Sequence, residues 1–344
     1  MKVFDLFGNR EIPDGTQTAN YRLLPENSLV LMGVASNTTP QFDKWHTQLQ
    51  AVDYTGSYVF VDGGHDPVRL SDQDVAATLS FLEQQFPNSK AVLLSSNCAH
   101  WNNPLPKTVY FPYCFLNLYR PSQPGERKKR MGCLNRNNTP HRPWLMHNLL
   151  SKGLIDPSRD VYSIAFASPF DGVSYADVAG FLGLPPNDPI TEVIRSYPPY
   201  VATDYDEFIN DYTTQHPAWH TGITIITETE CGDWTMMTEK TCKAIMNKCC
   251  WTAYASETGY EVMRGLGFDP DFFTEHAAYQ DVTPIERLCK QFDTAESAID
   301  YYHSQRERIE HNFAWFGDEQ GSTTQLGPWA QRWLPKLNQC LSNL

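Results

Sequence analysis

Short runs of consecutive aliphatic residues, each emptying into a polar loop, constrain the fold of this chain more than any other feature. Leu29-Val30-Leu31-Met32 leads to Gly33, Tyr58-Val59-Phe60-Val61 leads to Asp62-Gly63-Gly64-His65-Asp66, and Ala91-Val92-Leu93-Leu94 leads to Ser95-Ser96-Asn97. A strand with one wet face alternates apolar and polar residues, whereas unbroken runs belong to parallel strands covered on both faces. Between the second and third runs a helix is predicted, with Ser71 as N-cap, Asp74 three residues on, and Val75, Leu79, Leu82 and Phe86 along one side. Strand, helix, strand at this spacing is a βαβ unit of an α/β sheet. Such sheets bind ligands beyond the carboxyl ends of their strands, which would place Gly33, the Asp62 to Asp66 loop with His65, and Asn97 on one rim.

The pattern then resets. Pro121-Ser122-Gln123-Pro124-Gly125 followed by charged residues predicts a linker over residues 121–130, and 344 residues suit two domains better than one core. The basic run Arg127-Lys128-Lys129-Arg130 within it reads as a solvated segment. Residues 1–120 form the first predicted domain and residues 131–325 the second. In the second, strands are expected at 131–134, 161–164, 222–226 and 251–254. Helices are expected at 144–152, stopped by Gly153, at 260–266, stopped by Gly267, and as one long helix over 293–316. Residues 170–214, rich in Pro, Asp and Tyr, read as an irregular insertion, and 326–344 as a C-terminal helix with a break near Pro335.

Two acidic-threonine words mark the second domain. Thr227-Glu228-Thr229-Glu230 follows the β-branched run Gly222-Ile223-Thr224-Ile225-Ile226, and Thr238-Glu239-Lys240 precedes a stretch without Gly or Pro. Thr238 is a good N-cap, so first-turn N–H groups should face outward beside Lys240, which is how helices hold anions. A plain structural account competes with this, because Glu in a first turn is favoured by the helix dipole without any ligand.

With Asn135-Arg136-Asn137-Asn138-Thr139-Pro140-His141-Arg142 upstream and Leu266-Gly267-Phe268 closing the block, the region from Lys129 to Phe292 resembles the C-terminal half of phage-type GT-B glycosyltransferases. The Thr-Glu-Lys helix start is similar to the donor site of fucosyltransferases that use a GDP-sugar. The resemblance implies two Rossmann-like α/β domains facing a cleft, with a C-terminal helical tail and a nucleotide-sugar donor (UDP- or GDP-sugar) on the second domain. It implies that Lys240 and Arg142 or Arg136 meet the diphosphate and Glu239 the ribose hydroxyls, with Thr238 as the cap and no metal required; of Glu228 and Glu230, one would orient an arginine or contact the sugar and the other be solvated. An inverting enzyme needs a carboxylate to take the acceptor proton. Asp62, first after its strand, leads Asp66 as candidate, although Asp62-Gly63-Gly64 is equally readable as a tight turn. Gly33, His65 and Asn97 would lie on the acceptor side, with His100 and His141 as further cleft candidates. Where relatives carry Pro-Phe before the next strand, this chain has Cys249-Cys250-Trp251.

The acceptor stays open between a hydroxymethylated pyrimidine in DNA, whose base would be flipped out, and a hydroxyl of a glycan or small molecule. The net charge of −13 argues against a general nucleic-acid coat. A non-catalytic nucleotide-binding relative is a third reading. A metal or redox protein is the weakest, since nine cysteines include no C-x-x-C pair and fit buried thiols. No apolar run approaches the about 18 to 20 residues of a membrane span, so a cytoplasmic protein is expected, in the host cytoplasm if viral.

Overall fold

A computed structural model describes residues 1–6, 9–12, 21, 23–32, 41–63, 71–116, 125–135, 139–164, 179–197, 200–201, 217–228, 237–277, 281–317 and 327–344. The protein is mixed α/β and is built on two mostly parallel sheets. In the first, β1 (Lys2–Asp5), β3 (Ser28–Met32), β4 (Tyr58–Gly63), β5 (Lys90–Ser95) and β6 (Thr108–Tyr110) lie side by side in chain order, while the short β2 (Arg10–Glu11) pairs antiparallel with β1. Helices Phe42–Leu49 and Asp72–Gln85 bury Trp45, Leu49, Val75, Leu79 and Leu82 against Leu29, Leu31, Val59 and Val61. Ser71 caps the second of these by accepting the Asp74 N–H at 3.1 Å, as its position in the sequence predicts.

The second sheet joins β7 (Lys129–Cys133), β8 (Val161–Ile164), β9 (Tyr200–Val201), β10 (Thr221–Thr227) and β11 (Trp251–Tyr254) in the order β11-β10-β7-β8-β9, with only β9 antiparallel. The chain moves from β7 out to β8, then returns to place β10 on the other side of β7. That reversal is a topological switch point. Every residue of β10 is buried, as its Ile- and Thr-rich sequence requires of a central strand. Gly222 lets helix Ala295–Ser304 settle on this strand, because a Cβ there would meet the Ala298 backbone at 2.7 Å.

By contacts the chain divides into one unit of Met1–Asn117 with Ala330–Leu344 and another of Leu118–Trp329. The C-terminal helix Ala330–Ser342 thus packs with the first sheet: Trp333 is fully buried and its indole N–H donates to the Tyr110 carbonyl at 2.5 Å. Pro335 lies on the helix's exposed side without ending it.

Several expectations need correction. Asp62 and Gly63 continue β4, paired in register with Leu94 and Ser95, rather than opening a loop. The single helix expected over 293–316 is two, Ala295–Ser304 and Arg306–Phe316, separated at Gln305. Its start is a capping box of Thr294 and Ser297, not Asp293 with Glu296. Tertiary bonds favour the break: Arg308 reaches Asp269 at 2.7 Å, and the Asn312 side chain bonds both the N–H and the carbonyl of Asp269.

The basic run is a solvated segment only in part: Lys128 is exposed, whereas Arg127 and Arg130 are engaged inside the fold. Arg127 donates to the carbonyls of Trp219, Thr221, Asn247 and Lys248 and lies 3.9 Å from the Tyr302 ring centre. Arg130 is fully buried, bidentate to Asp160 at 2.8 and 2.7 Å, and donates to the carbonyls of Leu154, Cys289 and Phe292. Alternation along β7 turns Arg130 inward, and five donors on one planar group satisfy loop ends that no single short side chain could reach. Removing one member of such a pair strands the other charge. Asp160→Ala is therefore expected to lower the unfolding free energy by about 3–5 kcal/mol. Urea denaturation followed by tryptophan fluorescence measures this, and a loss below about 1 kcal/mol, the worth of an exposed pair, would refute it.

Candidate functional site

The carboxyl ends of β7 and β10 meet at the switch point, and side chains from both sides knit them together. The Asn135 N–H donates to Ser163 Oγ at 2.9 Å, the Ser163 hydroxyl donates back to the Asn135 carbonyl at 3.0 Å, and Asn135 Oδ1 accepts the Thr227 hydroxyl at 2.7 Å. Thr227 ends the strand and Glu228 follows it, both with 0% exposure.

Glu228 turns its carboxylate onto the start of helix Glu239–Met246. One oxygen accepts the Thr238 N–H at 3.2 Å and the Thr238 hydroxyl, and the other accepts the Thr241 hydroxyl. Thr238 is the N-cap, accepting the Lys240 N–H at 3.3 Å. Its hydroxyl oxygen is also 3.2 Å from Lys240 Nζ, which lies 3.4 Å from the Glu239 carboxylate. An ammonium has three donors, and these contacts engage two. The Lys240 side chain is 18% exposed and that of Glu239 45%. Burial pushes the Glu239 carboxyl up, but Lys240 and Lys243 outweigh it and hold the group below its usual range. The pair thus stands charged at the helix N-terminus, a carboxylate beside an ammonium.

Helix His141–Ser151 begins at the same rim. His141 Nε2 is 2.8 Å from the Glu228 carbonyl, and its ring meets Tyr254 edge-on at 5.6 Å. Arg142 is 2% exposed, and its guanidinium donates to the Thr227 and Glu228 carbonyls at 3.3 Å each. The arginine expected to fork onto phosphates is thus engaged with the strand end itself. Burial, with Arg142 beside it, lowers the His141 pKa to about 3.

Of the residues singled out in the sequence, Glu228, Thr238, Glu239, Lys240 and Arg142 gather in this one network. Arg136, Gly33, His65, Asp66 and Glu230 lie outside the described residues. Asp62 belongs to the first unit, is 4% exposed, and accepts the Tyr21 hydroxyl at 2.5 Å. Burial and Asp62 raise the Tyr21 pKa far above its ordinary value, so this phenol is a fixed donor. Asn97 caps its own turn, Oδ1 accepting the Ala99 N–H at 3.0 Å, and His100 Nδ1 lies 2.7 Å from Ser95 Oγ. The sequence reading missed Thr241, although it sits one helical turn after Thr238 on the same face. It also missed Tyr21, for which no local pattern exists, and gave no role to Asn135 at the head of its Asn-Arg block. Among the described residues no group of three or more His, Cys, Asp or Glu side chains could hold a metal ion. No helix of the described residues is long and apolar enough to cross a membrane.

No protein-family model matches the chain, and no curated protein does. Among solved structures it is similar to one described as the DNA modifying enzyme beta-glucosyltransferase, crystallised in the presence and absence of the substrate uridine diphosphoglucose. The TM-score is 0.34 and the sequence identity 10%, over 83% of this chain and 79% of that one. That likeness assigns neither a site nor a substrate.

The lowered pKa of His141 has a definite consequence for stability. An unfolded histidine binds its proton below about pH 6.5, whereas the folded one binds it only below about 3. Between those values the unfolded state holds more protons, so the contribution from His141 is complete above about pH 6.5 and is lost as the pH falls towards 3. Replacing His141 with Gln should flatten the decline of unfolding free energy between pH 6.5 and 4. An unchanged slope in urea titrations across that range would contradict this account.

Proposed function

We propose that this chain is a nucleotide-sugar-dependent glycosyltransferase whose donor diphosphate sits at the N-terminus of helix Glu239–Met246. The observation that carries the reading is the place of Lys240: a cation on a capped helix start, beyond the carboxyl end of the buried strand β10, beside the switch point of a mostly parallel sheet. Helix N–H groups and a lysine together neutralise a leaving diphosphate, which is the charge that develops when a glycosidic bond to phosphate breaks. Glu239, held as a carboxylate beside Lys240, is suited to accept the hydroxyls of a ribose. UDP- and GDP-sugars are the donors to test first, and the GDP-sugar fucosyltransferase likeness of the Thr-Glu-Lys word belongs to this proposal. So do the GT-B arrangement and Arg136 as a phosphate contact.

On the acceptor side Asp62 is the proposed base, a nearly buried carboxylate at the end of its strand that accepts the Tyr21 hydroxyl on Oδ2. Asp66, Gly33, His65 and Asn97 remain proposed acceptor-side residues. For the acceptor, a hydroxymethylated pyrimidine in DNA competes with a glycan or small-molecule hydroxyl. The engagement of Arg127 and Arg130 favours the second, because the densest basic run spends two of its four cations on internal carbonyls and an internal carboxylate. DNA affinity rests on cations free to meet phosphates.

Two substitutions test the reading. Lys240→Ala is expected to cost about 1.5–3 kcal/mol of donor binding, roughly ten- to a hundredfold in affinity. Asp62→Asn is expected to abolish turnover while donor affinity holds, which also separates an enzyme from a non-catalytic nucleotide binder. Calorimetry with UDP- and GDP-sugars and a transfer assay on hydroxymethylated DNA and on glycans supply the readouts. Unchanged affinity and turnover in both variants would mean that the site lies elsewhere.

A further inference from the structure

The Glu228 carboxylate is fully buried and has no ion pair among the described residues, yet it accepts three hydrogen bonds from the cap and first turn of helix Glu239–Met246. Removing that much water from a carboxylate is costly unless each oxygen is satisfied, as here. A simpler residue would have closed the core. What the carboxylate does to Thr238 suggests why an acidic group stands there.

The Thr238 hydroxyl has one proton and two lone pairs. Its proton goes to Glu228, so the lone pairs are turned away from the strand and towards Lys240, whose backbone N–H lies at 3.3 Å and whose ammonium lies at 3.2 Å. Had the hydroxyl donated elsewhere, one of those acceptor directions would have been lost. We propose that Glu228 is a positioning residue for Lys240: through the Thr238 hydroxyl it fixes both the cap of the helix and the place of the ammonium that meets the donor diphosphate. The inference rests on the donor-site reading above. Thr241 holds the second carboxylate oxygen, so Glu228 keeps one rotamer and the relay keeps one direction.

The relay requires an acceptor oxygen opposite Thr238, not a negative charge. Glu228→Gln can keep its carbonyl on Thr238 and turn its amide towards Thr241, whereas Glu228→Met fills the space and accepts no hydrogen bond. UDP and GDP affinities, measured by calorimetry on the full chain, should fall about tenfold for Glu228→Met and stay within about threefold for Glu228→Gln. The decisive comparison is the double variant: Glu228→Met should weaken binding clearly less once Lys240 is Ala, since the part of its effect that runs through the ammonium is then already gone. Equal losses in the Lys240 and Lys240→Ala backgrounds would overturn the relay and leave Glu228 a general brace. If Lys240→Ala leaves both affinities intact, the donor-site reading itself fails, a different result from a Lys240 effect without a Glu228 effect. Should Glu228→Met not fold, Thr238→Val and Thr238→Ser ask the same question. Loss with valine and retention with serine supports the relay, and equal affinity in the two overturns it.

Discussion

Backbone groups at the ends of a buried parallel sheet have no neighbouring strand to bond, and the second unit is organised around satisfying them. At the amino-terminal rim Arg127 holds four carbonyls, and Arg130 holds three more where the flanking helices run out, with Asp160 balancing the buried charge. At the carboxyl rim His141 and Arg142 hold the Thr227 and Glu228 carbonyls where β10 ends, while Asn135 takes the Thr227 hydroxyl and the Glu228 carboxylate takes the cap of the helix that follows. A buried carbonyl or N–H left unbonded costs about 1–3 kcal/mol, so these side chains are fixed as firmly as any apolar core residue. The rim that faces a ligand in this class of sheet is therefore rigid before any ligand arrives.

That rigidity separates two kinds of charged residue. Arg142 and Glu228 are consumed by the protein's own backbone and cap. Lys240 and Glu239 stand one step further out, partly exposed and tied by longer contacts. The inner pair sets the geometry and the outer pair has the freedom to exchange a partner.

How much of this was legible follows from how far apart the interacting residues lie in the chain. Strands β3, β4, β5 and β10 could be read because burial on both faces leaves unbroken apolar runs. The caps at Ser71 and Thr238 could be read because the bond spans two or three residues. Arg130 with Asp160, 30 residues apart, and Tyr21 with Asp62, 41 apart, left no local trace. A charge run looks the same whether its members face water or turn alternately into a sheet, so Arg127 and Arg130 were misread for that reason. The helix break at Gln305 was invisible for a related one, since no Gly or Pro marks it and the bonds that favour it come from Asp269.

The C-terminal helix has an implication for how the molecule is made. Residues 118–329 form a continuous unit, whereas the other unit needs both its first 117 residues and the helix carrying Trp333. On a ribosome the early strands emerge long before that helix does, and the indole that closes on Tyr110 is supplied only after residues 118–329 have been made. The nascent first sheet must therefore wait for the whole intervening unit to be translated before its own packing is complete.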